Sequence, residues 1–226
     1  MTDLEPSHDC PLCPRLAAFR AANRAQYPDW FNGPVPTWGD PAARLVIVGL
    51  APGLKGANRT GRPFTGDYAG DLLYRTLLKF GLATGEYRAD PHDTLRLTGA
   101  LIVNGVRCVP PQNKPTPAEI ATCRRFLTAT LAAQTTTRAY LALGRIAHDQ
   151  LLSTLGERRA AYRFAHGAEH SLASGIRLFD SYHCSRYNTN TGVLTEAMFE
   201  DVVGRAAAVV TNAAVGSRQS AVGHQS

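Results

Sequence analysis

Three polar side chains stand where apolar runs of this sequence end. Asp67 closes the stretch Gly49–Asp67, "GLAPGLKGANRTGRPFTGD". Asn104 sits inside "LIVNGVRC", where a purely structural strand favours an apolar residue, and His183 ends "LFDSYH". A carboxylate can position or activate water. An amide can hydrogen-bond both a donor and an acceptor on a base edge. An imidazole can stabilise negative charge on a leaving group. Each has a plainer reading: Asp67 as the N-cap of a following helix, Asn104 as a turn residue, His183 as a core histidine. Phe64, fixed between Pro63 and Thr65-Gly66, suits stacking on a base or anchoring the loop. Arg186, Tyr187 and Asn188 follow His183 and suit phosphate contact or wedging into a duplex. Lys55, Asn58, Arg59 and Arg62 are further candidates to face phosphates.

The three polar residues converge only if their strands share one direction. Four short apolar runs, Arg44–Leu50, Ala100–Val106, Arg138–Gly144 and Ile176–His183, read as buried strands. Between them lie helical patterns over Tyr68–Phe80, Thr116–Ala133, Arg145–Leu155 and Thr191–Val210. The second carries Thr116 as N-cap, Pro117 at the first helical position and Glu119 at the third. Alternating strands and helices predict an α/β fold with a parallel sheet covered on both faces, and ligands beyond the carboxyl ends of its strands. The Gly-rich stretch leaves the end of the first strand, so its glycines and Pro52 offer close backbone approach to a ligand.

The chain has 226 residues, 44% of them hydrophobic, enough for one large domain. We expect a single domain over 1–210 and a polar, disordered tail over 211–226. No apolar run approaches the ~20 residues that span a bilayer. "MTDLEPSHDCPLC" lacks an apolar signal-peptide core, so a cytosolic protein with reduced thiols, acting as a monomer, is expected. The formal charge of +6 and pI near 9.3 suit either a polyanionic partner or an ordinary basic surface.

Cys10 and Cys13 form C-x2-C, and Cys108, just after the second strand, is separated from Cys123 by fourteen residues. Four thiolates on two distant segments could bind zinc or an iron–sulfur cluster, or be unrelated buried thiols. The wide spacing of the second pair leans toward the cluster. Cys184, beside His183, reads as packing.

Together these motifs resemble the family 5 uracil-DNA glycosylases, close to the iron–sulfur enzymes of family 4. The resemblance rests on the loop from Gly49 to Asp67, the Asn104-x3-Cys108 step, the C-x14-C pair and the His183 loop, and spans about Cys10 to Val210. It implies a three-layer α/β/α sandwich around a four-stranded, mostly parallel sheet. It also implies a structural 4Fe-4S cluster on Cys10, Cys13, Cys108 and Cys123, and DNA containing uracil as substrate. Where many relatives carry an acid or amide in the first loop, this chain has Leu50 and Ala51. That departure moves the water-positioning role to Asp67 and suits a broader range of deaminated bases, hypoxanthine among them. On this reading Gly49, Leu50, Ala51, Pro52 and Gly53 form a backbone wall for the base, with Phe64 stacking on it and Asn104 reading its edge. Asp67 and His183 carry the chemistry, and Arg59, Arg186, Tyr187 and Asn188 hold DNA. Two other classes fit the sequence less well: a non-enzymatic zinc-stabilised nucleic-acid module, and a small-molecule or nucleotide enzyme. The second lacks GxxxxGK[ST], GxSxG and GxGxxG.

Overall fold

The computed structural model describes residues 5–219. In chain order the first half contains α1 (Pro14–Gln26), β1 (Trp38–Gly39), β2 (Leu45–Gly49), α2 (Ala57–Thr60), α3 (Tyr68–Lys79), β3 (Ala83–Thr84), β4 (Arg96–Leu97) and β5 (Ala100–Asn104). The second half contains α4 (Pro117–Ala133), β6 (Ala139–Leu143), α5 (Arg145–Leu155), β7 (Glu169–Ser171), β8 (Arg177–Ser181), α6 (Arg186–Asn190) and α7 (Glu196–Gln219). The main sheet has six strands in the order β1-β5-β2-β6-β8-β7. Its four inner strands, β5, β2, β6 and β8, are parallel, as expected, and β1 and β7 add antiparallel edges.

Strand β2 shows why the sheet is buried on both faces. Leu45 and Ile47 point into one core with α3 and α7, through Leu73, Leu77, Phe199 and Val203. Val46 and Val48 point into the other with α4 and α5, through Leu127, Leu131, Leu151 and Leu152. Side chains alternate along a strand, so a run apolar at every position must be covered twice. Helix α4 begins with the expected capping box: Thr116 Oγ1 accepts from the Glu119 amide at 3.2 Å, and Glu119 Oε2 accepts from the Thr116 amide at 2.7 Å. The last helix starts at Glu196, later than expected, because Gly192 is left-handed, φ 73°, and Thr195 Oγ1 accepts from the Met198 amide at 3.2 Å; its backbone runs to Gln219, and residues 220–226 of the expected tail lie outside the described residues. Helix α1 is not foreseen, although Pro14 directly after Cys13 is a first-turn signal. No helix among the described residues is long and apolar enough to cross a membrane.

Parallel direction brings the strand ends to one edge. Gly49 on β2 pairs with Asn104 on β5. The ladder continues past the strand ends, with the Gly105 and Val106 amides donating to the Gly49 and Leu50 carbonyls at 2.9 Å each. The loop after Gly49 is held by an interaction that its composition conceals. Arg62 is only 4% exposed; Nη1 and Nη2 donate to Asp93 Oδ1 and Oδ2 at 2.8 and 2.9 Å. Its guanidinium carbon lies 5.0, 5.7 and 5.8 Å from the ring centres of Trp38, Tyr74 and Tyr87. The expectation that Arg62 faces phosphate is therefore incorrect, and so is that for Asn58. Asn58 is fully buried, and its Nδ2 donates to Asn32 Oδ1 at 2.9 Å.

Burial alone would push the Asp93 carboxyl up, but the Arg62 guanidinium and the Arg88 and Leu95 amides outweigh it and hold it at about 2. Removing one partner leaves the other charge buried, so Arg62→Met or Asp93→Asn should cost about 3–5 kcal/mol, read as a lower midpoint in urea unfolding. A depressed carboxylate contributes its full stability above its ordinary value. The deficit of Asp93→Asn should therefore be constant above about pH 4 and shrink as pH falls toward 2.

Candidate active site

A cleft of about 600 Å³ opens at the carboxyl edge of the parallel strands. Leu50 to Gly53, Phe64, Asp67, Asn104, His183 and Arg186 all line it, so the residues expected to act together do meet. Each arrives from a different element: the wall from the end of β2, Asn104 from β5, Asp67 from the residue before α3, His183 two residues past β8.

Asn104 is 3% exposed, and its Oδ1 is buried with no hydrogen-bond partner among the described residues. A Cβ on Gly49 would lie 2.5 Å from that oxygen and 2.9 Å from Phe64 Cζ, so only glycine lets both side chains lie over the end of β2. Phe64 is buried and has a left-handed backbone, φ 50°, which is costly for a non-glycine residue. The loop compels it: Tyr74 Oη donates to the Pro63 carbonyl, and a Cβ on Gly70 would lie 1.8 Å from the Phe64 carbonyl oxygen. The Phe64 and His183 rings face each other with centres 5.9 Å apart and planes at 29°.

Asp67 occupies the N-cap position of α3, but its side chain forms no capping hydrogen bond, and Oδ1 is buried and unpartnered. The expected capping bond is absent, which leaves the carboxylate free. Its other oxygen packs on backbone: a Cβ on Gly53 or Gly56 would lie 2.9 or 2.1 Å from Oδ2. Burial pushes the Asp67 carboxyl up, and the nearby Gly70 and Ala69 amides only partly oppose this. Burial pushes His183 down to about 4, so its imidazole is neutral at pH 7 and offers one N–H donor and one lone pair. The Asn188 side-chain Nδ2 donates to the His183 carbonyl at 2.8 Å. Asn188 thereby braces the histidine loop.

Tyr187 is 74% exposed beside the cleft. Arg186 is exposed, with its guanidinium carbon 5.3 Å from the Tyr68 ring centre. Arg59 is exposed too, and donates from Nη2 to the Gly66 carbonyl at 3.2 Å. Asn113 also lines the cleft and is not foreseen. Its signal is the turn-rich "PPQNKP", where Gln112 and Asn113 are both left-handed, φ 55° and 57°.

The four other cysteines gather in one apolar chamber with Leu16, Val106 and Phe126, between α1, α4 and the segment after β5. All are free thiols, and Cys184 is a buried packing residue whose Sγ–H points at the Ala69 carbonyl, 3.5 Å away. Burial pushes the thiols of Cys108 and Cys123 up to about 11 and 12. Yet Arg20, 5% exposed, donates to Cys108 Sγ at 3.4 Å and to the Cys10 carbonyl at 2.9 Å, and forms no salt bridge among the described residues. The Arg107 amide donates to Cys123 Sγ at 3.4 Å. A buried guanidinium aimed at a neutral thiol lacks a counter-charge; metal-bound thiolates would supply one.

Comparison with known proteins agrees with this geometry. The family model of the Uracil DNA glycosylase superfamily matches residues 36–206. A type-5 uracil-DNA glycosylase of Thermus thermophilus is 48% identical over 201 residues, covering 86% of this chain and 90% of that protein. One of Pyrobaculum aerophilum is 40% identical, covering 88% of each. One of Mycobacterium tuberculosis is 42% identical, covering 85% of this chain and 75% of that protein. The chain belongs to the uracil-DNA glycosylase superfamily and, within it, to the type-5 uracil-DNA glycosylases.

Proposed function

We propose that the protein is a monofunctional DNA repair glycosylase. It hydrolyses the bond between uracil and deoxyribose in DNA and leaves an abasic site. The observation that carries this reading is the pair of buried, unpartnered oxygens, Asn104 Oδ1 and Asp67 Oδ1, on two residues that line one cleft together with Phe64 and His183. A buried polar atom without a partner calls for one from outside the protein, and a flipped base and a water molecule supply both.

Cleavage builds positive charge on the sugar and negative charge on the base, after the base has left the stack. Tyr187, exposed at the rim, suits holding the gap in the duplex, and Arg186 and Arg59 suit the phosphates. Phe64 offers a rigid ring for the base, and Asn104 Oδ1 accepts from a donor on its edge. His183, neutral, donates N–H to the base oxygen on which charge develops. Asp67 holds the attacking water and offsets the cationic sugar. Leu50 and Ala51 add no acid, amide or bulk against other substituents. This supports acceptance of further deaminated bases, hypoxanthine and xanthine among them.

The cysteine chamber suits a 4Fe-4S cluster on Cys10, Cys13, Cys108 and Cys123, which would tie α1 to α4 and to the end of β5. Its contribution is structural, because the chamber lies outside the set of residues that line the cleft.

Asp67→Ala or His183→Ala should slow single-turnover uracil release by about 10²–10³ with DNA binding retained; wild-type rates in both would sink the assignment. Gly49→Ala should displace Asn104 or Phe64 and reduce release without unfolding the protein, checked by the same assay beside circular dichroism. Cys108→Ala should lose bound iron and stability together. Anaerobically purified wild-type protein that is folded, colourless and iron-free would refute the cluster.

A further inference from the structure

Strand β8 leads to His183, and three histidines outside the cleft crowd around it. Asp180 on β8 is fully buried; Oδ1 lies 2.7 Å from His148 Nδ1 and Oδ2 lies 3.2 Å from His170 Nε2. The other ring nitrogen of His148 lies 2.9 Å from the Tyr162 carbonyl oxygen. A carbonyl only accepts, so His148 Nε2 carries a hydrogen. A neutral His148 would then turn the lone pair of Nδ1 toward a carboxylate at 2.7 Å, which is repulsive. A proton must sit between them, and the short contact beside a fully buried carboxyl fits one shared in an imidazolium–carboxylate pair. Two residues further on, the Tyr182 amide donates to His166 Nδ1 at 3.2 Å, so this ring nitrogen carries no hydrogen. The backbone running into His183 is thus fixed on one side by a charged histidine through Asp180 and on the other by a neutral one.

We propose that Asp180, locked by a doubly protonated His148, is a positioning residue that sets the end of β8 and thereby the placement of His183 in the cleft. This rests on the reading of His183 given above. The groups facing His148 are Asp180 from β8, His170 from β7, the Tyr162 carbonyl and the Phe164 ring from the segment after α5, and Asp149 from its own helix. Burial pulls His148 toward the neutral form, but the Asp180 bond and charge outweigh it and hold its pKa above the ordinary value. The pair is present below the folded pKa of His148 and is lost as pH rises through it.

The test combines nitrogen-15 NMR of the histidine rings, at neutral pH in the wild-type protein, with single-turnover uracil release by Asp180→Asn. We expect both His148 nitrogens protonated in the wild type. We expect the wild-type rate to fall on the alkaline side, and Asp180→Asn to slow release about tenfold to a hundredfold, with unchanged affinity for abasic-site DNA and without that alkaline fall. A singly protonated His148, or a stoichiometric divalent metal ligated by it, would overturn the proposal even if the variant fails to fold. So would wild-type release by Asp180→Asn, or a slowing matched by equal loss of DNA affinity, which would mark a merely structural pair. His183→Ala run alongside separates the two readings. An inactive His183→Ala beside a fully active Asp180→Asn sinks the positioning role alone, whereas a fully active His183→Ala removes both.

Discussion

Leaving a buried polar atom without a partner costs on the order of 1–3 kcal/mol, and two of the side-chain atoms this fold leaves so belong to residues that line one cleft. Asn104 Oδ1 and Asp67 Oδ1 are both desolvated and unsatisfied. Neither would stay in place if the surroundings could relax. Asn104 is fixed by the register of β5 against β2, Asp67 by its position directly before α3 and by backbone packed against its other oxygen. The glycines make the arrangement possible: Gly49 leaves room for Asn104 and Phe64, and Gly53 and Gly56 leave room for Asp67.

The loop from Gly49 to Asp67 must then be rigid although it builds little core. Its rigidity comes from Arg62, buried in a box of three aromatic rings and paired with Asp93. That anchor holds Pro63 and, through it, the unfavourable left-handed conformation of Phe64. Strain at one aromatic is maintained by an ion pair whose two partners lie thirty-one residues apart in sequence. The stability of the fold and the shape of the cleft therefore share one element.

The strands and their common direction were legible because parallel strands covered on both faces read as unbroken apolar runs. Leu45–Gly49, Ala100–Asn104, Ala139–Leu143 and Arg177–Ser181 each fall inside an expected run. Once the strands are parallel, the meeting of Asp67, Asn104 and His183 follows from topology. What stayed hidden depends on partners remote in sequence. Arg62 and Asn58 look like loop residues ready for phosphate until Asp93 and Asn32 are seen against them. Asn188 is an exposed-loop amide by composition and a brace for His183 by geometry. The missing capping bond of Asp67 could not be foreseen either, since sequence fixes a cap position and not where the side chain turns.

The central claim is that these unpartnered oxygens receive a flipped base and its attacking water. A crystal structure of the protein on duplex DNA carrying a non-hydrolysable deoxyuridine analogue tests it most directly. The account predicts the uracil out of the stack and against Phe64, Asn104 Oδ1 at hydrogen-bond distance from its edge, and an ordered water on Asp67 Oδ1. A uracil bound elsewhere, with Asn104 and Asp67 still unpartnered, would contradict it.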